Sequence, residues 1–228
     1  MNDYLRLLNE NRLTLIMSLP KNDPALCEAA FEAGADVVKV HINVDHRASG
    51  THFGPLAEEL PALSAMLEHR KGPMGIVLGG TLEAAQRDMA AAAALPFSFY
   101  SLYAQNVPPA LLAGGVPVMA ACDSAYSLDE IAEMGPCGAQ ILEASIVPGG
   151  EYGTRLSMRD LLRYSAIVRR SGLPVVVPTQ RLVTPEDVPA LVKAGVRGLM
   201  IGAVVTGRDP DGIQRAIRAF RAAIAEVR

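Results

Sequence analysis

Short apolar runs alternate along this chain with segments in which apolar positions recur every three or four residues, and the alternation repeats eight times. Continuous apolar runs read as strands covered on both faces; the segments between them read as amphipathic helices. The pattern predicts a leading helix over Tyr4–Glu10 and strands over Leu13–Leu19, Asp36–Asn43, Met74–Gly79, Phe97–Tyr103, Val116–Cys122, Ala139–Ile146, Pro174–Thr179 and Leu199–Ile201. Helices are predicted from Asp23-Pro24 to Gly34, near Pro55–His69, from Thr81 to Ala93, over Pro109–Ala113, from Ser127 to Gly135, from Ser157 to Gly172, from Thr184 to Gly195, and from Asp209-Pro210 to the terminus. Their starts carry Ser, Thr or Asp, which cap exposed helical amides, and several end on Gly. In S-L-D-E, Glu130 completes a capping box with Ser127.

Eight β-then-α units in one run predict a TIM barrel, a closed parallel (β/α)8 sheet in one domain spanning 1–228. No G-x-G-x-x-G follows a strand, so an open dinucleotide-binding sheet is the runner-up. Length fits: 228 residues suit one small barrel, and 50% hydrophobic content supplies a large core. A net charge of −3 argues against a nucleic-acid surface. The basic residues of the last helix (Arg215, Arg218, Arg221, Arg228) read as a solvated face. Three scattered cysteines without a C-x-x-C pair indicate a reducing compartment, and the polar N-terminus and lack of a long apolar run predict a cytoplasmic chain without a membrane partner.

Barrel enzymes place their chemistry where strands end. The second strand ends K-V-H-I-N-V-D-H. Alternation puts Lys39, His41 and Asn43 on one face and Val38, Val40 and Ile42 on the other; with the apolar face against the helices, the polar three enter the barrel. A buried Lys is costly without an anionic partner. Glu143, alternating with Leu142 and Ala144 on the sixth strand, is that partner by the same logic, and Ser145 follows on its face. Lys39, His41 and Glu143 are therefore the candidate proton-transfer groups. A Schiff base on Lys39 is the alternative, opposed by a facing Glu that keeps it charged.

Other strand ends offer substrate or phosphate contacts. Gly202 and Ala203 open a small-residue loop, Gly202–Gly207, where late barrel strands commonly hold a phosphate, and Arg181 lies nearby for bidentate contact. Asp123, Tyr152 and Arg155 occupy catalytic-side positions; the I-V-P-G-G-E-Y-G turn either presents amides to an anion or is a plain turn. Cys122, Tyr100 and Tyr103 read as core or rim. His41, His46 and His52 fall within twelve positions beside Asp45; a divalent metal there is the minor reading, a mobile loop helped by Gly50 and Gly54 the main one. No cofactor signature is present.

Two segments resemble the ribulose-phosphate-binding barrel superfamily, which includes ribulose-phosphate 3-epimerase, thiamin phosphate synthase and N-acetylmannosamine-6-phosphate 2-epimerase. G-A-D-V-V-K-V-H-I-N-V-D-H followed by H-F-G-P is similar to the epimerases' second strand, and T-P-E-D-V with A-G-V-R-G-L-M-I-G-A-V-V is similar to the shared phosphate end. The resemblance implies a barrel with a phosphate site. It does not carry epimerase metal chemistry, because the family's metal-and-acid Asp corresponds to Asn43 and its strand-seven pair to Pro178-Thr179-Gln180-Arg181. A weaker likeness joins L-E-A-S and Y-G at Leu142–Gly153 to geranylgeranylglyceryl phosphate synthases.

The expected function is acid–base catalysis on a small phosphorylated metabolite, of isomerase, epimerase or lyase type, with Lys39, His41 and Glu143 catalytic, Arg181, Gly202 and Ala203 on the phosphate, and Asn43, Asp123, Ser145 and Tyr152 on the substrate. The alternatives are a transferase or synthase of the same barrel type and a non-catalytic phosphate-binding barrel. No exposed stripe in the sequence argues for or against a homo-oligomer.

Overall fold

The computed structural model describes residues 2–227. Eight strands form a closed parallel barrel: β1 Thr14–Ser18, β2 Val37–His41, β3 Met74–Val77, β4 Phe99–Tyr103, β5 Val118–Cys122, β6 Ile141–Ala144, β7 Val175–Pro178 and β8 Gly198–Ile201. Each pairs with the next in sequence, and β8 returns to β1 through Thr14–Gly198 and Met17–Ile201. Every residue of β1, β2 and β5 is buried, as expected of strands with helices outside and side chains within.

Ten helices accompany the strands among the described residues: α1 Asp3–Glu10, α2 Pro24–Glu32, α3 Leu56–His69, α4 Leu82–Ala93, α5 Pro109–Leu112, α6 Leu128–Glu133, α7 Met158–Ser171, α8 Val188–Lys193, α9 Ala203–Thr206 and α10 Pro210–Glu226. Their starts follow the sequence signals. Asp23, Thr81 and Asp209 side chains accept from amides of the first turn, and Ser127 with Glu130 closes its capping box. Apolar side chains from α2, α3, α7 and α10 join the strands' outer faces in one continuous core. No described helix is long and apolar enough to cross a membrane.

A second, separate core fills the lower lumen. Ile16, Val37, Phe99, Met119, Ile141, Val176 and Met200 point inward and meet Tyr4 and Leu8 of α1. The leading helix thereby seals the N-terminal end, started by Asn2, whose side chain accepts from the amides of Tyr4 and Leu5. Tyr4 packs on Phe99 with ring centroids 4.1 Å apart. The close-packed layer needs a residue without a side chain at Gly75: a Cβ there would lie 2.1 Å from Phe99 Cζ. Above this apolar plug the inward positions turn polar, with Ser18, Lys39, His41, Ser101 and Glu143.

The structure departs from the sequence reading in four places. The segment after β2, expected as a mobile loop, is an antiparallel hairpin pairing Val44–His46 with Thr51–Phe53. The Gly202–Gly207 loop is a helical turn, α9. Thr184 caps a 3-10 turn, Pro185–Asp187, before α8 begins at Val188. Strands β5 and β7 start after Pro117 and Pro174, since proline has no amide to give a ladder, although the apolar runs extend further. The final helix ends at Glu226, and Arg228 lies outside the described residues.

Replacing Gly75 with Ala should destabilise the protein by about 3 kcal/mol, because the Phe99 ring is hemmed in by Tyr4 and cannot step aside. The urea midpoint measures this; an unchanged midpoint would show that the lumen is loosely packed.

Candidate active site

A cavity of about 550 Å³ opens over the C-terminal ends of the strands. Its floor is an ion pair: Lys39 Nζ lies 3.2 Å from Glu143 Oε2. Strands β2 and β6 are four places apart in a ring of eight, so the two side chains meet across the barrel axis. Three of their four strand neighbours are small. Lys39 sits beside Ser18 and Gly75, and Glu143 lies between Ala121 and Val176. Two hydroxyls complete the carboxylate's shell. Ser101 donates to Oε2 at 3.1 Å and Ser145 donates to Oε1 at 2.8 Å. Lys39 is 5% exposed and Glu143 6%, so the pair is nearly dry yet lines the cavity.

His41 takes a different place. Its ring packs against His46 and Phe53, with centroids 4.6 and 4.8 Å away, and those two rings also meet edge-on. Nε2 is 3.5 Å from Ser18 Oγ, and Nδ1 is buried without a hydrogen-bond partner. Burial first, then coupling to His46 and the Lys39 charge, hold the imidazole well below its ordinary range, so it is neutral. His46, bonded to Ser49 at 2.7 Å, is pushed from 6.5 to about 4 by burial and by Lys39, against the pull of Glu143. The strand end itself is clamped by Asn22, whose amide accepts from His41 N and donates to His41 O at 2.6 Å and to Glu59 at 2.8 Å.

The remaining sequence candidates separate. Asn43 borders the cavity but serves the backbone. It adopts a left-handed φ of 55°, donates to Leu78 O and Asp88, and accepts from Arg87, turning the chain into the hairpin. Ser145 and Tyr152 line the cavity, and Gln180 bonds the Tyr152 hydroxyl at 2.6 Å. Gly202 also lines it, with its amide donated to Thr179 Oγ1 at 3.1 Å; Ala203 opens α9 beside it. Arg181, expected beside a phosphate, instead gives its guanidinium to Asp160 at 3.0 Å and Glu151 at 2.6 Å and is absent from the cavity lining. Asp123, expected at the substrate, caps a turn through Ala125 N outside that lining.

The histidine cluster is likewise divided. His52 pairs with Asp45 on exposed hairpin positions, while His46 turns inward to His41. Among the described residues no three His, Cys, Asp or Glu side chains gather around one point. Lining residues that the sequence reading does not assign to the site include Ser18, Ser101, Arg47 and Tyr103, the last read as core or rim. Tyr103 follows Phe99 and Ser101 on the inward face of β4, so the alternation that selects Lys39 also selects it. Arg47 stands at the hairpin tip over the cavity, and no periodic signal locates a loop residue.

No protein-family model matches this sequence, and no curated protein matches it. Solved structures do share its shape. Thiamine phosphate pyrophosphorylase from Pyrococcus furiosus is 18% identical with a TM-score of 0.65, over 95% of this chain and 97% of that one. A native KDPGal structure is 20% identical with a TM-score of 0.67, over 95% and 97%. Tryptophan synthase from M. tuberculosis is 15% identical with a TM-score of 0.69, over 97% and 95%. Identities this low establish the fold alone, a closed (β/α)8 barrel.

The neutral His46 gives stability a defined pH dependence. Its folded-state pKa is depressed, so the unfolded chain takes up a proton first and stability falls as pH drops from 6.5 towards 4. Between pH 7 and 4.5 the native protein should lose about 2 kcal/mol more than the His46→Gln variant. Each tenfold difference in proton affinity between the folded and unfolded chain is worth about 1.4 kcal/mol, and solvent at the partly exposed ring screens some of it. Urea titrations at the two pH values decide it; equal losses would mean the imidazole charges freely in the folded state.

Proposed function

We propose that the protein is an enzyme that moves a proton on the carbon beside a carbonyl in a small phosphorylated metabolite, in an isomerase- or lyase-type reaction. The observation that carries this reading is the Lys39–Glu143 pair, 3.2 Å apart on the floor of an open cavity. One ammonium hydrogen of Lys39 is engaged by Glu143; the others are available to a substrate carbonyl oxygen. Glu143 takes the proton from the adjacent carbon. The C–H electrons pass into the carbonyl as an enolate, whose oxygen the Lys39 ammonium stabilises. Return of the proton to a neighbouring carbon gives isomerisation; if instead the enolate collapses to the carbonyl and expels an oxygen from the β-carbon, with the Glu143 proton passing to that departing oxygen, the result is an unsaturated carbonyl and water, a lyase reaction.

The surrounding groups suit that division of labour. Ser101 and Ser145 fix both Glu143 oxygens, so the base does not rotate away from the reacting carbon. Neutral His41 adds no competing charge beside Lys39. The Gly202–Ala203 turn seats the phosphate. Gly202 lies on the cavity wall at the end of β8, Ala203 follows it into α9, and the segment's sequence resembles the phosphate end of ribulose-phosphate-binding barrels. The names of structural neighbours such as thiamine phosphate pyrophosphorylase agree with a phosphorylated ligand in this fold.

A buried ion pair is poor evidence of stability, because two apolar residues of similar size often do as well or better. The Lys39→Met/Glu143→Leu double variant should therefore fold with stability within about 2 kcal/mol of the native protein while losing all turnover. Glu143→Gln should slow loss of the α-hydrogen by about a hundredfold or more. NMR-detected exchange in deuterium oxide across a panel of phosphorylated ketoses, aldoses and keto acids reads this directly; binding without exchange in the native protein would identify a non-catalytic barrel.

The phosphate seat is tested separately. Gly202 has an extended backbone, and a Cβ would sit 3.6 Å from Ser18 O, so a side chain fits there. Gly202→Asp should fold normally and raise the KM for a phosphorylated substrate at least about tenfold through like-charge repulsion. An unchanged KM would move the phosphate elsewhere in the cavity.

A further inference from the structure

We propose that Arg47 recognises a second oxyanion of the substrate, so that the natural ligand carries a phosphate at one end and a carboxylate or second phosphate at the other. The inference rests on the cavity being the site of a phosphorylated metabolite, and it names the substrate class. It starts from the cations around the mouth. Lys39 faces Glu143, Arg181 faces Asp160 and Glu151, Arg87 faces Asp88, and Arg155 faces Asp187. Arg47 lines the cavity, and among the described residues no carboxylate lies within ion-pair distance of it and no hydrogen bond engages it. A guanidinium left without an anion at the mouth of a pocket has its planar fork free for one.

The position is built rather than incidental. Arg47 lies in the turn between the two hairpin strands, where His46 O accepts from Ser49 N at 3.2 Å and from Gly50 N at 2.8 Å, with Gly50 at a φ of 62°. Thr51 Oγ1 ties the returning strand to Pro20 O at 2.7 Å, and Glu59 holds Gly54 N at 3.0 Å. From this fixed turn the arginine reaches the loop after β6. A Cβ on Gly149 would lie 2.1 Å from its Nη1, so the guanidinium rests on a residue that leaves room for it. Lys39 and Glu143 join β2 to β6 at the floor; Arg47 and Gly149 bring the loops after the same two strands together at the rim. A substrate whose carbonyl lies on the pair, with its phosphate at Gly202, has Arg47 above its other end.

The experiment compares three probes by isothermal titration: glycerol 3-phosphate with one anionic group, 3-phosphoglycerate with an added carboxylate, and 1,3-propanediol bisphosphate with an added phosphate. The native protein should bind at least one of the two doubly anionic probes about tenfold or more tightly than glycerol 3-phosphate. The probe with the greater gain identifies the second group. Arg47→Gln should erase that gain and leave glycerol 3-phosphate affinity within about twofold. Arg47→Lys, which keeps the charge and loses the fork, should retain part of the gain. Gly149→Ala, which moves the guanidinium without removing it, should reduce it.

Native-like preferences in Arg47→Gln would overturn the proposal while leaving the phosphate reading intact. Equal weakening of all three probes would also overturn it, by assigning Arg47 to the phosphate itself. No binding of any probe to the native protein would overturn both readings. Arg47 is exposed, and circular dichroism with a thermal melt confirms that each variant is folded.

Discussion

The buried contact between Lys39 and Glu143 is the constraint around which the upper barrel is arranged. Two long charged side chains can meet on the axis only if the residues between them are small and if other donors complete the carboxylate's shell. Gly75, Ala121, Ser18 and Ser101 meet both conditions. Dehydrating the two ions costs several kcal/mol each, and their attraction recovers that only in good geometry. A chain selected for stability alone reaches the same end with Leu and Met, as it does one layer down with Met119, Ile141 and Met200. The pair is therefore understood through its cavity rather than through the fold's stability.

The lumen is divided along its axis. Its lower half is filled by aromatic and aliphatic side chains and by α1; its upper half holds charges and hydroxyls around open space. The division gives the site a rigid floor. A Lys–Glu pair over fluid or hydrated packing would sample many separations, whereas over a close-packed layer it samples few. The same rigidity extends sideways through Asn22, which binds both backbone groups of His41, and through Asn43, whose left-handed turn is held by Leu78, Asp88 and Arg87.

Much of this is legible in the residues. A period of two in K-V-H-I-N, read with the rule that apolar faces meet helices, places Lys39 and His41 inside, and the same rule places Glu143 opposite. Eight repeats of strand and helix predict the closed sheet. Most of what escapes the reading has one cause, which is that tertiary partners choose the role of a side chain at or beyond a strand end. Arg181 looks like a phosphate ligand until Asp160 and Glu151 fold against it. Asn43 lines the cavity as read, but its positive φ and its bonds to Leu78, Asp88 and Arg87 give it a structural task the sequence does not announce. His41 shares the inward face of Lys39, but the hairpin packs both His46 and Phe53 against it, and no local pattern announces that hairpin. Tyr103 is within reach of the alternation rule, but an inward aromatic residue reads as core.

The helix that corks the N-terminal end has a consequence for traffic. With Tyr4 and Leu8 fully enclosed among barrel residues, the lumen is a shaft closed at that end among the described residues, and the cavity mouth is its doorway. Any ligand resting on the Lys39–Glu143 floor, and the water it displaces, shares that doorway. Where a bond is cleaved in such a shaft, the fragment nearer the doorway departs first, and the one resting on the floor waits its turn. Order of release is then dictated by architecture.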